Sequence, residues 1–202
     1  EEFFPFAPTD ASAQWMRLKQ KKADFTFGVG YHTTVNALLT EGEKLKMLDD
    51  VTVGLAGVIP TVLLKLAKEK TRNTYLATPQ RRWLYLEDWE KNAPRAYEFY
   101  KKNKRESIDL TPYEGGFKNG LVACEAVRIA VQKVGPKKVT GEDVYQALQT
   151  FNKFDSWGLS LPYTWNKTKR FGADTIFINK FGKDKVINLG ECPAPSLGQI
   201  KK

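Results

Sequence analysis

A chain of 202 residues with 42% hydrophobic content is long enough to bury one large core or two small ones, and no run of it approaches the roughly 20 consecutive apolar residues of a membrane-spanning helix. The net charge of +9 raises nucleic acid as a partner, but the basic groups Lys19–Lys22, Arg81–Arg82, Lys101–Arg105 and Lys167–Arg170 are scattered over expected helix ends and connecting segments, and the aromatics keep no stacking spacing, so no nucleic-acid partner is expected. With one histidine, two cysteines and no HExxH, GxSxG or Walker A pattern, the chain offers little to catalyse with, and neither enzyme activity, cofactor nor metal is expected.

The chain opens without Met on an apolar, extended stretch at 3–6 that lacks the basic start and long apolar core of a signal peptide; it reads as a chain that has lost something upstream. Asp10 lies at a helix start, and Ala11, Trp15 and Leu18 recur at i, i+4 and i+7, which predicts a helix with one buried face. A strand is predicted over 24–28. Thr33 or Thr34 then caps a second helix with Val35, Leu38, Leu39 and Leu45 on one side. Val51–Leu55 has the length and composition of a strand, Pro60 suits the first turn of a third helix through Val62, Leu63, Leu66 and Ala67, and Thr74–Ala77 returns as a strand. Strands alternating with helices of this size imply right-handed crossovers and a parallel sheet.

That order sets Tyr31 and His32 at the C-terminal mouth of one strand and Ala56 at the mouth of the next, where open α/β sheets bind small molecules. A helix N-terminus facing this mouth favours a carboxylate or another polar group, and Tyr31 adds an aromatic wall with one hydroxyl. GlyValGly at 28–30 resembles the start of a dinucleotide fingerprint, but Thr33 stands where the third glycine belongs and no suitable acid follows. His32 has the chemistry of a general base, yet nothing in the pattern supplies it with a partner.

Composition changes at 78–80, a candidate crossing between lobes. Glu87, Asp88 and Glu90 follow as solvated carboxylates. Helices are predicted over Ala93–Lys102, over 116–134 with Phe117, Leu121, Cys124, Val127, Val131 and Val134 inward, and from Thr140, whose partner Asp143 completes a capping pattern. Residues 81–152 are thus nearly all helical, with no sheet of their own to cover. From Phe154 the pattern reads as β again at 158–165, 175–178 and 186–189, the last two forming a hairpin, and a loose tail follows Cys192. Cys124 and Cys192 fit neither a metal pair nor a redox motif, and Cys124 is expected as a buried thiol. Asn166–Thr168 matches a glycosylation sequon by pattern alone.

Five segments, TDASAQWMRLK (9–19), ADFTFGVGY (23–31), YEGGFKNGLVACEAVRIAV (113–131), TGEDVYQAL (140–148) and GLSLPYTW (158–165), together resemble the C-terminal half of type I periplasmic binding proteins, in the leucine/isoleucine/valine-binding branch that serves ABC importers. The resemblance implies an α/β protein of two Rossmann-like lobes with parallel sheets, here a C-terminal fragment lacking most of the first lobe. It assigns 1–78 to the second lobe, 79–152 to the helical part of the first, 153–192 to a return to the second, and 193–202 to a tail. It implies a ligand site that takes in Tyr31 and the position held by Leu55 or Ala56, to which the reading of the mouth adds His32 and Thr33, together with a small carboxylate or amide as solute, an ABC permease and the missing N-terminal half as partners, and a place in the periplasm or on the outer face of a bacterial membrane. Amino-acid-binding members carry an acid after the second of these strands, and here Ala56 or Leu55 occupies that position, which predicts an aromatic or branched acid rather than a zwitterion. A ligand-sensing domain of a regulator with the same fold is the alternative.

Overall fold

The computed structural model describes residues 10–79, 84–103, 110–168 and 175–193. The apolar stretch at 3–6, the Arg81–Arg82 pair and the tail beyond Pro193 lie outside them. The chain divides into two compact units, Glu1–Thr78 with Phe177–Cys192, and Pro79–Ile176 with Pro193–Lys202.

In the first unit, α1 (Ser12–Gln20), β1 (Phe25–Val29), α2 (His32–Lys44), β2 (Thr52–Ala56), α3 (Pro60–Ala67) and β3 (Thr74–Pro79) alternate as the periodicity requires, with Pro60 opening α3. The strands β1 and β2 are parallel with Phe25 beside Thr52 and Val29 beside Ala56, and β2 and β3 are parallel with Leu55 beside Leu76. The hairpin β4 (Thr175–Phe181) and β5 (Val186–Pro193) completes an open mixed sheet in the order β1-β2-β3-β4-β5. Its core contains Trp15, Leu39, Leu48, Val53, Leu55 and Leu63, all at most 1% exposed, each contributing about 1.5–3 kcal/mol by burial. Trp15 fixes α1 on α2, because its indole N–H donates to the Leu38 carbonyl at 2.7 Å. Gly42 makes that contact possible: a Cβ there would lie 2.5 Å from the Trp15 ring. At the other edge, Asn179 is buried but satisfied, donating to Thr78 Oγ1 at 2.9 Å and accepting from Asn188 at 3.2 Å.

The second unit is built from α4 (Leu86–Asn92), α5 (Pro94–Asn103), α6 (Leu110–Val134) and α7 (Gly141–Leu148). Trp89, Ala93, Ala96, Tyr100 and Leu159 form its core, with the Trp89 and Tyr100 rings edge to face at 6.0 Å. Gly158, at φ +82°, packs so closely that a Cβ would come within 2.7 Å of the Asn92 carbonyl. The capping box at Thr140 and Asp143 forms as the sequence predicts.

Three sequence-based expectations require correction. The return to the first unit begins at Phe177, not at 153, because the segment in between is held by aromatic packing and hydrogen bonds to the helical unit. Phe151, Phe154 and Trp165 pack on one another, and the Trp165 N–H donates to the Phe151 carbonyl at 3.0 Å. Residues 158–165 are turns rather than a strand, with an isolated antiparallel bridge between Phe154 and Tyr163. On α6 the buried stripe is Glu114, Lys118, Ala126 and Ala130, whereas Cys124 is exposed and Val127 is 44% exposed. Ala126 and Ala130 are buried on a helix that packs with α7, while Glu114 and Lys118 form a buried ion pair at 2.6 Å. The stripe expected inward is a second apolar side of the same helix, half-buried at Phe117 and Leu121 and exposed at Cys124 and Val127.

Candidate functional site

The mouth of the first unit is assembled by two short loops that leave parallel strands in register. Val29 and Ala56 are partners at the ends of β1 and β2, and the next residue of the first loop, Gly30, donates its N–H to the Ala56 carbonyl at 3.2 Å. Gly57 follows with φ +81°, and a Cβ on it would sit 3.4 Å from the Gly30 carbonyl, so the loops approach through glycine. Gly30 and Gly57 are backbone determinants that side-chain reasoning passes over; their signal is the glycine directly behind each strand.

Tyr31 is the N-cap residue of α2 in extended conformation, and its side chain does not cap the helix. The residue is 58% exposed. The carbonyl of Tyr31 accepts from Val35 at 3.0 Å, the first bond of a 13-residue helix whose N-terminal end carries partial positive charge toward the mouth. His32 opens α2 half-buried, with Nδ1 enclosed and without a hydrogen-bond partner among the described residues. Thr33 follows on the helix and is exposed. Ala56 is half-buried at the strand end, whereas Leu55 is 0% exposed and points into the sheet's packing. Of the two positions at which an acid is missing, only Ala56 therefore presents side-chain surface. The four residues that carry surface here, Tyr31, His32, Thr33 and Ala56, combine an aromatic wall, an imidazole, a hydroxyl and a small apolar floor.

Among the described residues no group of three His, Cys, Asp or Glu side chains is arranged to hold a metal ion, and no helix is long and apolar enough to cross a membrane. Two cavities lie elsewhere: an apolar groove on α6 of about 510 Å³, and a cavity of about 580 Å³ lined by Arg72, Lys180 and Lys183. Arg72 in the latter is already committed to Asp49 and Glu43, each at 2.6 Å.

An open sheet with parallel strands alternating with helices defines the α/β class of fold, and comparison with known proteins narrows it. Residues 1–184 match the model of the periplasmic binding protein family, and the chain belongs to that family. Its fold is similar to a branched-chain amino acid ABC transporter protein from Thermus thermophilus with bound valine, at 20% identity and a TM-score of 0.73, over 94% of this chain and 50% of that one. It is also similar to a leucine-binding protein from Thermotoga maritima (15% identity, TM-score 0.73, 95% and 51% covered) and to a fatty acid ABC transporter substrate-binding protein from Thermomonospora curvata (17%, 0.69, 92% and 47%). The chain thus spans about half the length of these structures. No curated protein matches it in sequence.

Proposed function

We propose that this chain is part of the solute-binding receptor of an ABC importer, at the outer face of a bacterial membrane, and that it binds a small carboxylic acid, aromatic or branched, that carries no ammonium group. The receptor captures its solute without transforming it and hands it to a membrane permease, the mouth of the first unit serving as one jaw of the closing site. Tyr31 packs on the apolar body of the solute, and the N-terminal end of α2 with Thr33 receives the carboxylate. The similarity in fold to proteins described as valine-bound, leucine-binding and fatty-acid-transporting supports a site for an apolar body joined to a carboxylate.

One observation carries the narrower reading. The end of β2, the loop after it and the start of α3 read Gly-Leu-Ala-Gly-Val-Ile-Pro over 54–60, so the accessible position at the mouth is Ala56 and the segment holds no carboxylate. An ammonium group enclosed without a partner costs several kcal/mol, which is enough to reject a zwitterion in favour of the same skeleton without its amine.

The test is isothermal titration of the intact receptor with phenylacetate, benzoate, leucine and valine. Aromatic acids are expected to bind and the amino acids to fail. Micromolar binding of leucine or valine without binding of the acids overturns the reading.

A further inference from the structure

We propose that His32 recognises a hydroxyl beside the carboxylate of the solute, which makes the solute a 2-hydroxy acid with an aromatic or branched body. The inference rests on the receptor reading above and deepens it by naming the group that stands where an amino acid carries its ammonium.

The observation is a pair of polar atoms that the fold encloses without satisfying. Nδ1 of His32 and Oδ1 of Asn36 are both buried, and neither has a hydrogen-bond partner among the described residues. Buried polar atoms are as a rule bonded, and an exception calls for a reason. Both residues lie near the start of α2, one helical turn apart, so their side chains share a face with roughly 5–6 Å between Cβ atoms. The polar groups next along that face are engaged with each other: Thr40 Oγ1 donates to the Asn36 carbonyl at 2.7 Å and accepts from Lys70 Nζ at 2.8 Å. Each orphaned atom finds its complement in the other.

That pairing decides which imidazole nitrogen holds the proton. An amide oxygen only accepts, so a bond to Asn36 Oδ1 requires Nδ1–H, and in the neutral ring Nε2 then keeps its lone pair. With Nδ1 turned inward, Nε2 is the nitrogen on the open side of the half-buried ring. It meets the mouth as an acceptor, and an acceptor selects a solute that brings a donor. A solute without one leaves Nε2 unpaired once the site closes over it.

The class and position of that donor follow from its surroundings. No Asp, Glu, Lys or Arg occurs over 29–40 or 51–64, the two segments that form the mouth. Nothing there offsets the charge of an ammonium, whereas a hydroxyl donates one bond and carries no charge. His32 and Thr33 are consecutive in the first turn of α2, and the carboxylate is received at Thr33 and the helix end. A hydroxyl that reaches His32 from a carboxylate held there sits on the adjacent carbon.

The test is isothermal titration of the intact receptor, expressed from its own gene, with racemic 3-phenyllactate and 2-hydroxyisocaproate against the same skeletons without the hydroxyl, 3-phenylpropionate and isocaproate. Within each pair the hydroxy acid is expected to bind roughly 10-fold tighter or better. His32→Phe is expected to erase that preference, and Asn36→Leu, which cannot hold the ring, to reduce it. Nitrogen-15 NMR of the labelled histidine, assigned by the signal lost in His32→Phe, is expected to show the proton on Nδ1 in the solute complex. Equal affinities within each pair overturn the inference and leave the carboxylate reading standing, and so does a preference that survives His32→Phe or a proton found on Nε2. Tighter binding of phenylalanine or leucine than of their hydroxy counterparts, or no binding of any acid, removes the carboxylate reading and this inference with it.

Discussion

Gly42→Ala sets two opposing effects against each other at one atom. Alanine is the better helix former by about 1 kcal/mol, and on a free helix the change stabilises. In α2 the added Cβ stands 2.5 Å from Trp15 Cζ2 and 2.7 Å from Leu48 Cδ2, more than 1 Å inside ordinary carbon contact. Neither neighbour has solvent to move into, since Trp15 is 0% and Leu48 1% exposed. Overpacking of this kind costs about 1–3 kcal/mol. If the ring yields by the missing ångström, its 2.7 Å bond to the Leu38 carbonyl opens, and a buried unsatisfied pair costs about another 1–3 kcal/mol. Set against the helix gain, the net loss is about 1–5 kcal/mol, with a centre near 3. At a urea dependence of about 2 kcal/mol per molar, the unfolding midpoint falls by roughly 1.5 M. Gly115→Ala is the control: nothing lies within 4 Å of its Cβ, so it should gain up to about 1 kcal/mol. A midpoint for Gly42→Ala that equals or exceeds the parent's would show that α1 and α2 separate freely and would refute the role given to Trp15.

Four further outcomes are expected. Lys118→Met leaves the buried Glu114 carboxylate without its 2.6 Å partner and should cost about 3–5 kcal/mol in chemical unfolding, whereas Glu114→Leu with Lys118→Met should recover most of it; additive losses would refute the pairing. Thr140→Ala removes the N-cap of α7 at a cost of about 1 kcal/mol. Because hydrogen bonds from the Thr140 side chain and backbone hold the Asp143 carboxyl below its usual range, that contribution is present above about pH 4 and is lost as pH falls through the native value, so the gap between parent and variant should narrow in acid. Burial pushes the Tyr163 phenol up, so the native state keeps that proton longer than the unfolded chain; stability is full below about pH 10 and declines as pH rises toward the native value, and Tyr163→Phe should lessen the decline in a pH series of thermal midpoints. Ala56→Asp should improve leucine binding by roughly 10–100-fold, equivalent to about 1.5–3 kcal/mol for a charge-assisted bond, and an unchanged titration would place the mouth elsewhere.

What the sequence discloses here follows from how local each signal is. The first unit is legible because β1 and β2 are short and each is followed directly by glycine, because Pro60 starts α3, and because Val35, Leu38 and Leu39 repeat on one face; the structure buries those three side chains. The mouth inherits that legibility, since its residues stand at a strand end, as Ala56 does, or within four positions beyond one, as Tyr31, His32 and Thr33 do. Leu55 is the exception, and alternation along the strand accounts for it: β2 is buried on both faces through Val53, Gly54 and Leu55, so adjacency to the mouth does not bring a side chain to it. The second unit is less legible because its signals are tertiary. GLSLPYTW alternates like a strand, yet positive φ at Trp157 and Gly158 and the proline at 162 turn it into a wrapped segment held by rings from elsewhere in the chain. On α6 the large apolar side chains outweigh alanines in any periodicity, so the buried side with Ala126 and Ala130 is masked by the side that holds Phe117, Leu121 and Cys124. Periodicity reports which residues seek burial. Only the packing shows which of two apolar sides has obtained it.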